Sequence, residues 1–134
     1  MVLTWLSKYR DFGLLLLRIG LGVMMIMHGW PKLIGGPDVW TRLGGAMANF
    51  GITFTPEIWG LAAALAELLG GVLLILGFAM RPACIALAGT MAVAMMFHIN
   101  KGDPFTDWSH AAELLIVFVS LLFIGAGKFS LDRD

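Results

Sequence analysis

Residues 58–78 read IWGLAAALAELLGGVLLILGF, with Glu67 the one charged side chain in the run. About 20 apolar residues in an α-helix cross the roughly 30 Å hydrocarbon core of a bilayer. The run therefore predicts a membrane-spanning helix. Three more apolar runs lie around it, at 12–29, 82–98 and 110–125. These are shorter, and their terminal Trp and His residues extend them into the headgroup region. The expected fold is an all-α membrane protein. It is a single domain over 1–134, an antiparallel bundle of four transmembrane helices with a long outer loop between helices 1 and 2.

Composition agrees. Of the 134 residues, 59% are hydrophobic and 13% charged, where a soluble domain carries about 25% charged residues. The mean hydropathy is +0.86. A soluble chain this small cannot hide so much apolar surface. A signal peptide followed by a soluble three-helix unit is excluded. After Met27 comes His28-Gly29-Trp30-Pro31-Lys32, not a small-x-small cleavage site. The net charge is zero, which gives no reason to expect nucleic acid as a partner. A single cysteine, Cys84, supplies no internal disulfide, no redox pair and no zinc knuckle. It reads as a small buried hydrophobe.

Lys8, Arg10, Arg81, Lys128 and Arg133 fall on one side of the expected bundle, and Lys32, Arg42 and Lys101 on the other. The richer side is expected to be cytoplasmic, which places both termini there in a multi-pass cell (inner or plasma) membrane protein. Trp30, Trp40, Trp59 and Trp108 lie on the outer side, where Trp anchors a helix or faces a ligand. The outer segment 32–57 is long and carries Pro37 and Pro56; within it, 39–50 reads as a short amphipathic helix on the membrane. Segment 99–109 is a second outer loop. Substantial loops are more often functional than tight turns.

Arg18 and Glu67 lie inside spans. A charge at a helix centre costs roughly 2.5–3.5 kcal/mol on insertion scales, so each needs partners. Counted from the outer ends, the two lie at similar depth, and a carboxylate and a guanidinium make a two-pronged hydrogen bond. The expectation is an Arg18–Glu67 pair or small network. It serves either as a register-fixing ion pair or as a proton or ligand site. Gly60, Ala64, Glu67, Gly71 and Leu74 share one helical face, as do Arg18, Gly22, Met25 and Gly29. Small residues let membrane helices approach closely. These faces are expected to pack on other helices.

A second cluster lies nearer the outer surface: His28 and Lys32, His98, and His110 with Glu113 three residues on. Histidine relays protons near neutral pH. The spacings HxxxH and HExxH are absent, and no metal site is assigned.

At these residues the sequence resembles the DoxX family, which includes the DoxD-like subunit of thiosulfate:quinone oxidoreductase. Three stretches carry the resemblance. The first is Leu15-Leu16-Leu17-Arg18-Ile19-Gly20-Leu21-Gly22, leading to His28-Gly29-Trp30-Pro31-Lys32-Leu33. The second is Ala66-Glu67-Leu68-Leu69-Gly70-Gly71, leading to Leu76-Gly77 and Arg81. The third is Glu113, with Gly125-Ala126-Gly127-Lys128-Phe129-Ser130-Leu131-Asp132 after it; Ala126 stands where the family often has Pro. The match covers about 14–132. It implies a four-helix membrane protein that is often a redox-associated subunit, linked to sulfur oxidation, quinone or oxidative-stress complexes. Its motif positions fall here on Arg18, His28, Lys32, Glu67 and Glu113.

Two functions follow. In the first, the chain is the membrane subunit of a quinone-linked oxidoreductase acting on a small sulfur compound, thiosulfate or a thiol. Glu67, His28 and Glu113 would move protons, and Arg18, Lys32 and His98 would hold the quinone or draw the sulfur anion in. No haem, flavin or iron–sulfur motif is present, so electrons would pass directly to quinone or through a partner redox subunit. In the second, the chain is a non-enzymatic scaffold, assembly factor or binder of a lipid-like ligand, alone or as a homo-oligomer. Arg18 and Glu67 would then border the pocket, and Met24, Met25, Met27, Met91, Met95 and Met96 would line or fill it.

Overall fold

Apolar runs separated by Gly- and Pro-containing breaks fold here into helices joined by short connections. The computed structural model describes residues 1–132. After a 3-10 segment, Thr4–Tyr9, come α1 (Arg10–Ile34), α2 (Pro37–Gly44), a second 3-10 segment (Gly45–Phe50), α3 (Pro56–Leu76), α4 (Met80–Lys101) and α5 (Phe105–Ile124). Helices α1, α3, α4 and α5 are each long and apolar enough to cross a membrane. The molecule is an all-α, four-span membrane bundle. Arg133, one of the basic residues in the charge asymmetry, lies outside the described residues.

The spans form a row in which α1 packs on α3, α3 on α4 and α4 on α5. Leu14 and Leu21 of α1 pack against the same core cluster that holds Phe118 and Leu121 of α5. Around it, large side chains such as Leu16, Leu69, Ile116 and Phe123 are exposed. In water such a surface would drive association; in a bilayer it is the lipid face.

Both glycine-bearing faces expected from the sequence are buried. On α1 these are Arg18, Gly22, Met25 and Gly29; on α3 they include Gly60, Ala64, Glu67, Gly71 and Leu74. Gly22 and Gly71 are the point of closest approach: a Cβ on Gly22 would fall 2.5 Å from the Gly71 carbonyl oxygen. That contact sets the register between α1 and α3.

The long outer loop expected between the first two spans is not confirmed, whereas the short helix read at 39–50 has its counterpart there. The centre of this connection is α2 and the 3-10 segment after it, seated on the end of α3. Gly60 lies under the Trp40 carbonyl, and Gly44 lies under the Pro56 carbonyl. With no side chain at either position, the backbones of α2 and α3 meet directly.

At the opposite end, the segment after α5 ties the bundle together. Leu131 and Asp132 donate backbone N–H bonds to the Leu76 and Gly77 carbonyls, at 3.2 and 2.8 Å. The Asp132 carboxylate accepts from the Ala79 and Met80 N–H groups at 2.8 and 2.9 Å. It thereby satisfies donors that α4 leaves open at its first turn.

Candidate functional site

The register set by Gly22 and Gly71 decides which charges meet. Two turns further along α1, Gly29 lies against Glu67 and Leu68 of α3. Glu67 is 2% exposed. The nearest cation is Lys32, one turn beyond Gly29, and helical side chains lean back toward the N-terminus. Its ammonium donates to both Glu67 oxygens, at 2.8 and 2.9 Å.

The expected Arg18–Glu67 pair does not form. In the observed register Arg18 lies beside the C-terminal end of α3. Its guanidinium donates to the carbonyls of Leu74 (3.0 Å), Ile75 (3.1 Å), Ala126 (2.8 Å) and Phe129 (2.9 Å). Two of these lie at the end of α3, where carbonyls lack helical partners; the other two belong to the segment after α5. Depth counted from apolar run ends misplaced the pair, because α1 continues well past its apolar run to Ile34. Arg18 is a clamp at the tail end of the bundle, remote from the Glu67 site.

The histidines do converge. A pocket of about 140 Å³ is lined by His28, His98 and His110 together with Lys32, Glu67 and Asp107. The rings of His28 and His110 stand 5.9 Å apart. His98 Nδ1 is 2.7 Å from Asp103 Oδ2. Met25 and Met91 form part of the wall, whereas Met24 and Met27 face outward, 50% and 64% exposed. Among the described residues no set of His, Cys, Asp or Glu has the arrangement of a metal site. Glu113 is not brought to this cluster; it lies on the exposed side of α5.

A larger cavity, about 730 Å³, opens on the other side of the same ion pair, between α2, α3 and α4. Its wall is chiefly apolar and built from small residues, among them Ala62, Ala66, Ala86 and Gly89. Lys32, Glu67 and His98 border both spaces. The ion pair is thus the partition between an apolar chamber and a histidine-lined one.

Two further donors around the chamber were not among the site residues expected from the sequence. Arg42 of α2 lines it. Trp59 does too, and its buried indole N–H has no acceptor, an unusual state for a buried donor. Trp40, expected as an interface anchor, donates its indole N–H to the Lys32 and Leu33 carbonyls at 3.0 and 3.3 Å, which ties α2 to the end of α1. No periodicity marks these roles, because they depend on how α2 folds back. Cys84 is fully buried, as its surroundings suggested.

The DoxX family model matches residues 13–99. Among similar proteins, an uncharacterized protein of Haemophilus influenzae is 37% identical, with 96% of this chain and 94% of that protein aligned. The inner membrane protein YqjF of Escherichia coli is 28% identical over 96% of this chain and 95% of its own length. A Bacillus subtilis protein named "Putative oxidoreductase CatD" is 28% identical over 95% of this chain and 90% of its own length. No solved structure matches the chain at a significant level.

Proposed function

Because the chain belongs to the DoxX membrane family, we propose that it is the inner-membrane subunit of a quinone-linked oxidoreductase, with the chamber beside Lys32 and Glu67 as its quinone site. One observation carries this reading: a buried, ion-paired carboxylate forms the wall between an apolar chamber and a histidine-lined pocket. The oxidoreductase name of the Bacillus subtilis relative points the same way.

The residues fit such a ligand. The chamber volume is in the range of small-molecule sites, about 300–1,000 Å³, and its small side chains leave room for a ring and an apolar tail. Lys32, Arg42 and the unpartnered Trp59 N–H are donors that suit carbonyl oxygens. When bound, a quinone supplies a two-electron, two-proton acceptor. Glu67 is placed to hold a proton at the chamber wall, and Lys32 compensates its charge when it is ionised. His28, His98 and His110 share a pocket with Glu67 and would relay its proton toward the membrane surface. That same side would admit a small sulfur anion or thiol, drawn by Lys32 and Arg42. The electrons come from that compound directly or from a partner redox subunit.

A second reading has one observation of its own. The chamber wall is chiefly apolar, as suits a lipid-like ligand held without chemistry. Mass spectrometry of an organic extract of the detergent-purified protein separates the two. Near-equimolar quinone, lost in Glu67→Gln or Trp59→Phe at unchanged protein yield, supports the redox reading. A stoichiometric lipid in place of quinone supports the second and sinks the first.

A further inference from the structure

Glu113 sits where a carboxylate has least reason to be. It lies about 12 Å along α5 from Phe105, at 1.5 Å per residue, and about one turn inside the apolar run that begins at 110. The face of α5 turned to the core carries Ala111, Phe118 and Leu121. Glu113 projects from the opposite side and is exposed. It has no hydrogen bond or ion pair among the described residues. An ionisable side chain left facing lipid at this depth is costly, and such groups normally face a protein interior or a water-filled cavity.

We infer that this side of α5 is the contact between two copies of the chain, with the two Glu113 side chains bonded to each other at its centre. Glu113, Ile116, Ser120 and Phe123 form one stripe at helical spacing. Ile116 is 66% exposed and Phe123 83%. Ser120 turns its hydroxyl back to the Ile116 carbonyl at 2.7 Å, so it adds no unmet polar group to the seam.

The choice of partner follows from charge and symmetry. Arg18 is buried and engaged. The other described cations lie at helix ends or in connections: Lys8, Arg10, Lys32, Arg42, Arg81, Lys101 and Lys128. Lys32 reaches a comparable depth but is held by Glu67 of its own chain, and the rest sit at helix ends or in connections rather than at the level of Glu113. A two-fold axis along the membrane normal brings identical residues together at identical depth. Each Glu113 then meets its equivalent, and one carboxylic acid donates to the other's carboxylate in a short charge-assisted bond. Interhelical polar bonds of this kind are a recognised source of association in membranes. The seam lies opposite the histidine pocket on α5, so it does not depend on the redox reading.

The test uses the full chain reconstituted in lipid nanodiscs and in proteoliposomes. Oxidative cross-linking of Ile116→Cys is expected to give a covalent dimer, with Leu69→Cys, exposed on α3, staying monomeric; buried Cys84 is silent in both. Glu113→Leu is expected to weaken the dimer about tenfold, roughly one interhelical hydrogen bond of 1–2 kcal/mol converted to affinity. Glu113→Gln, which can still bond to its equivalent, keeps it. Glu113 has no hydrogen bond or ion pair among the described residues to lose, so both variants should melt like the parent. A monomeric parent in nanodiscs without cross-linking at 116, or a dimer of undiminished affinity in Glu113→Leu, would overturn the inference. Dimerisation that appears only when a second, cation-bearing membrane protein is supplied would also overturn it.

Discussion

Double-mutant cycles discriminate between the two cations available to Glu67. The perturbations are Lys32→Met, Arg18→Lys and Glu67→Gln, singly and in the two combinations that include Glu67→Gln. Lys32 Nζ stands 2.8 and 2.9 Å from the two carboxylate oxygens, close enough for a strong interaction even at moderate effective dielectric. The Glu67 side chain is 3% exposed and that of Lys32 34%. Exposed pairs couple by about 0.2–1 kcal/mol, whereas removing one member of a buried pair costs about 3–5 kcal/mol. The open flank of Lys32 lets its ammonium rehydrate, so the expected Lys32–Glu67 coupling is intermediate, about 1–3 kcal/mol. Arg18 shares no partner with Glu67, and their effects should add to within about 0.5 kcal/mol. Reversible unfolding in mixed micelles, followed by helical circular dichroism, measures all the terms. A Lys32–Glu67 coupling below about 0.5 kcal/mol, or an Arg18–Glu67 coupling above about 1 kcal/mol, would refute the register on which the site is built.

Three other outcomes follow. Gly71→Leu places side-chain atoms where the Gly22 carbonyl lies and should cost at least about 2 kcal/mol by overpacking; Gly20→Ala, with nothing within 4 Å, should melt at or above the parent temperature. Asp132→Ala removes the acceptors of the Ala79 and Met80 N–H groups and should lower stability by about 0.5–2 kcal/mol, the usual range for a lost helix cap, as read by thermal melting in detergent. Reporter fusions at Lys8 and Lys128 should both report the cytoplasm if the basic asymmetry sets the topology; a periplasmic signal from both would place the histidine pocket on the cytoplasmic side.

Fold and site differed in how far the sequence revealed them. Four apolar runs sufficed for four spans, because length and hydropathy are summed over many residues and tolerate local error. The packing faces were also legible, since Gly22, Met25 and Gly29 on α1, like Ala64, Glu67 and Gly71 on α3, follow helical spacing. Pairing was not. The partner of Glu67 depends on the axial register of two helices, and Lys32 and Arg18 are alternatives about four turns apart on α1. Apolar run ends are a poor measure of register when a helix such as α1 continues through Pro31 and Lys32 to Ile34. The chamber was invisible for a different reason. It exists because α2 folds back onto α3 at Gly44 and Gly60, a tertiary event that left Arg42 and Trp59 looking like ordinary loop and interface residues.

The Arg18 clamp also carries a consequence for biogenesis. Two of its four acceptors, the Ala126 and Phe129 carbonyls, lie 108 and 111 positions further along the chain. At roughly 5–20 residues per second, a ribosome needs on the order of 10 s to reach them after making Arg18. Throughout that interval the first helix holds a guanidinium whose final ligands have not been synthesised. It must wait near the translocon or the lipid surface, or with provisional partners. Final seating of the first helix is therefore coupled to completion of the last, and a nascent chain stalled before Ala126 would leave a charge by which membrane quality control could recognise it as unfinished.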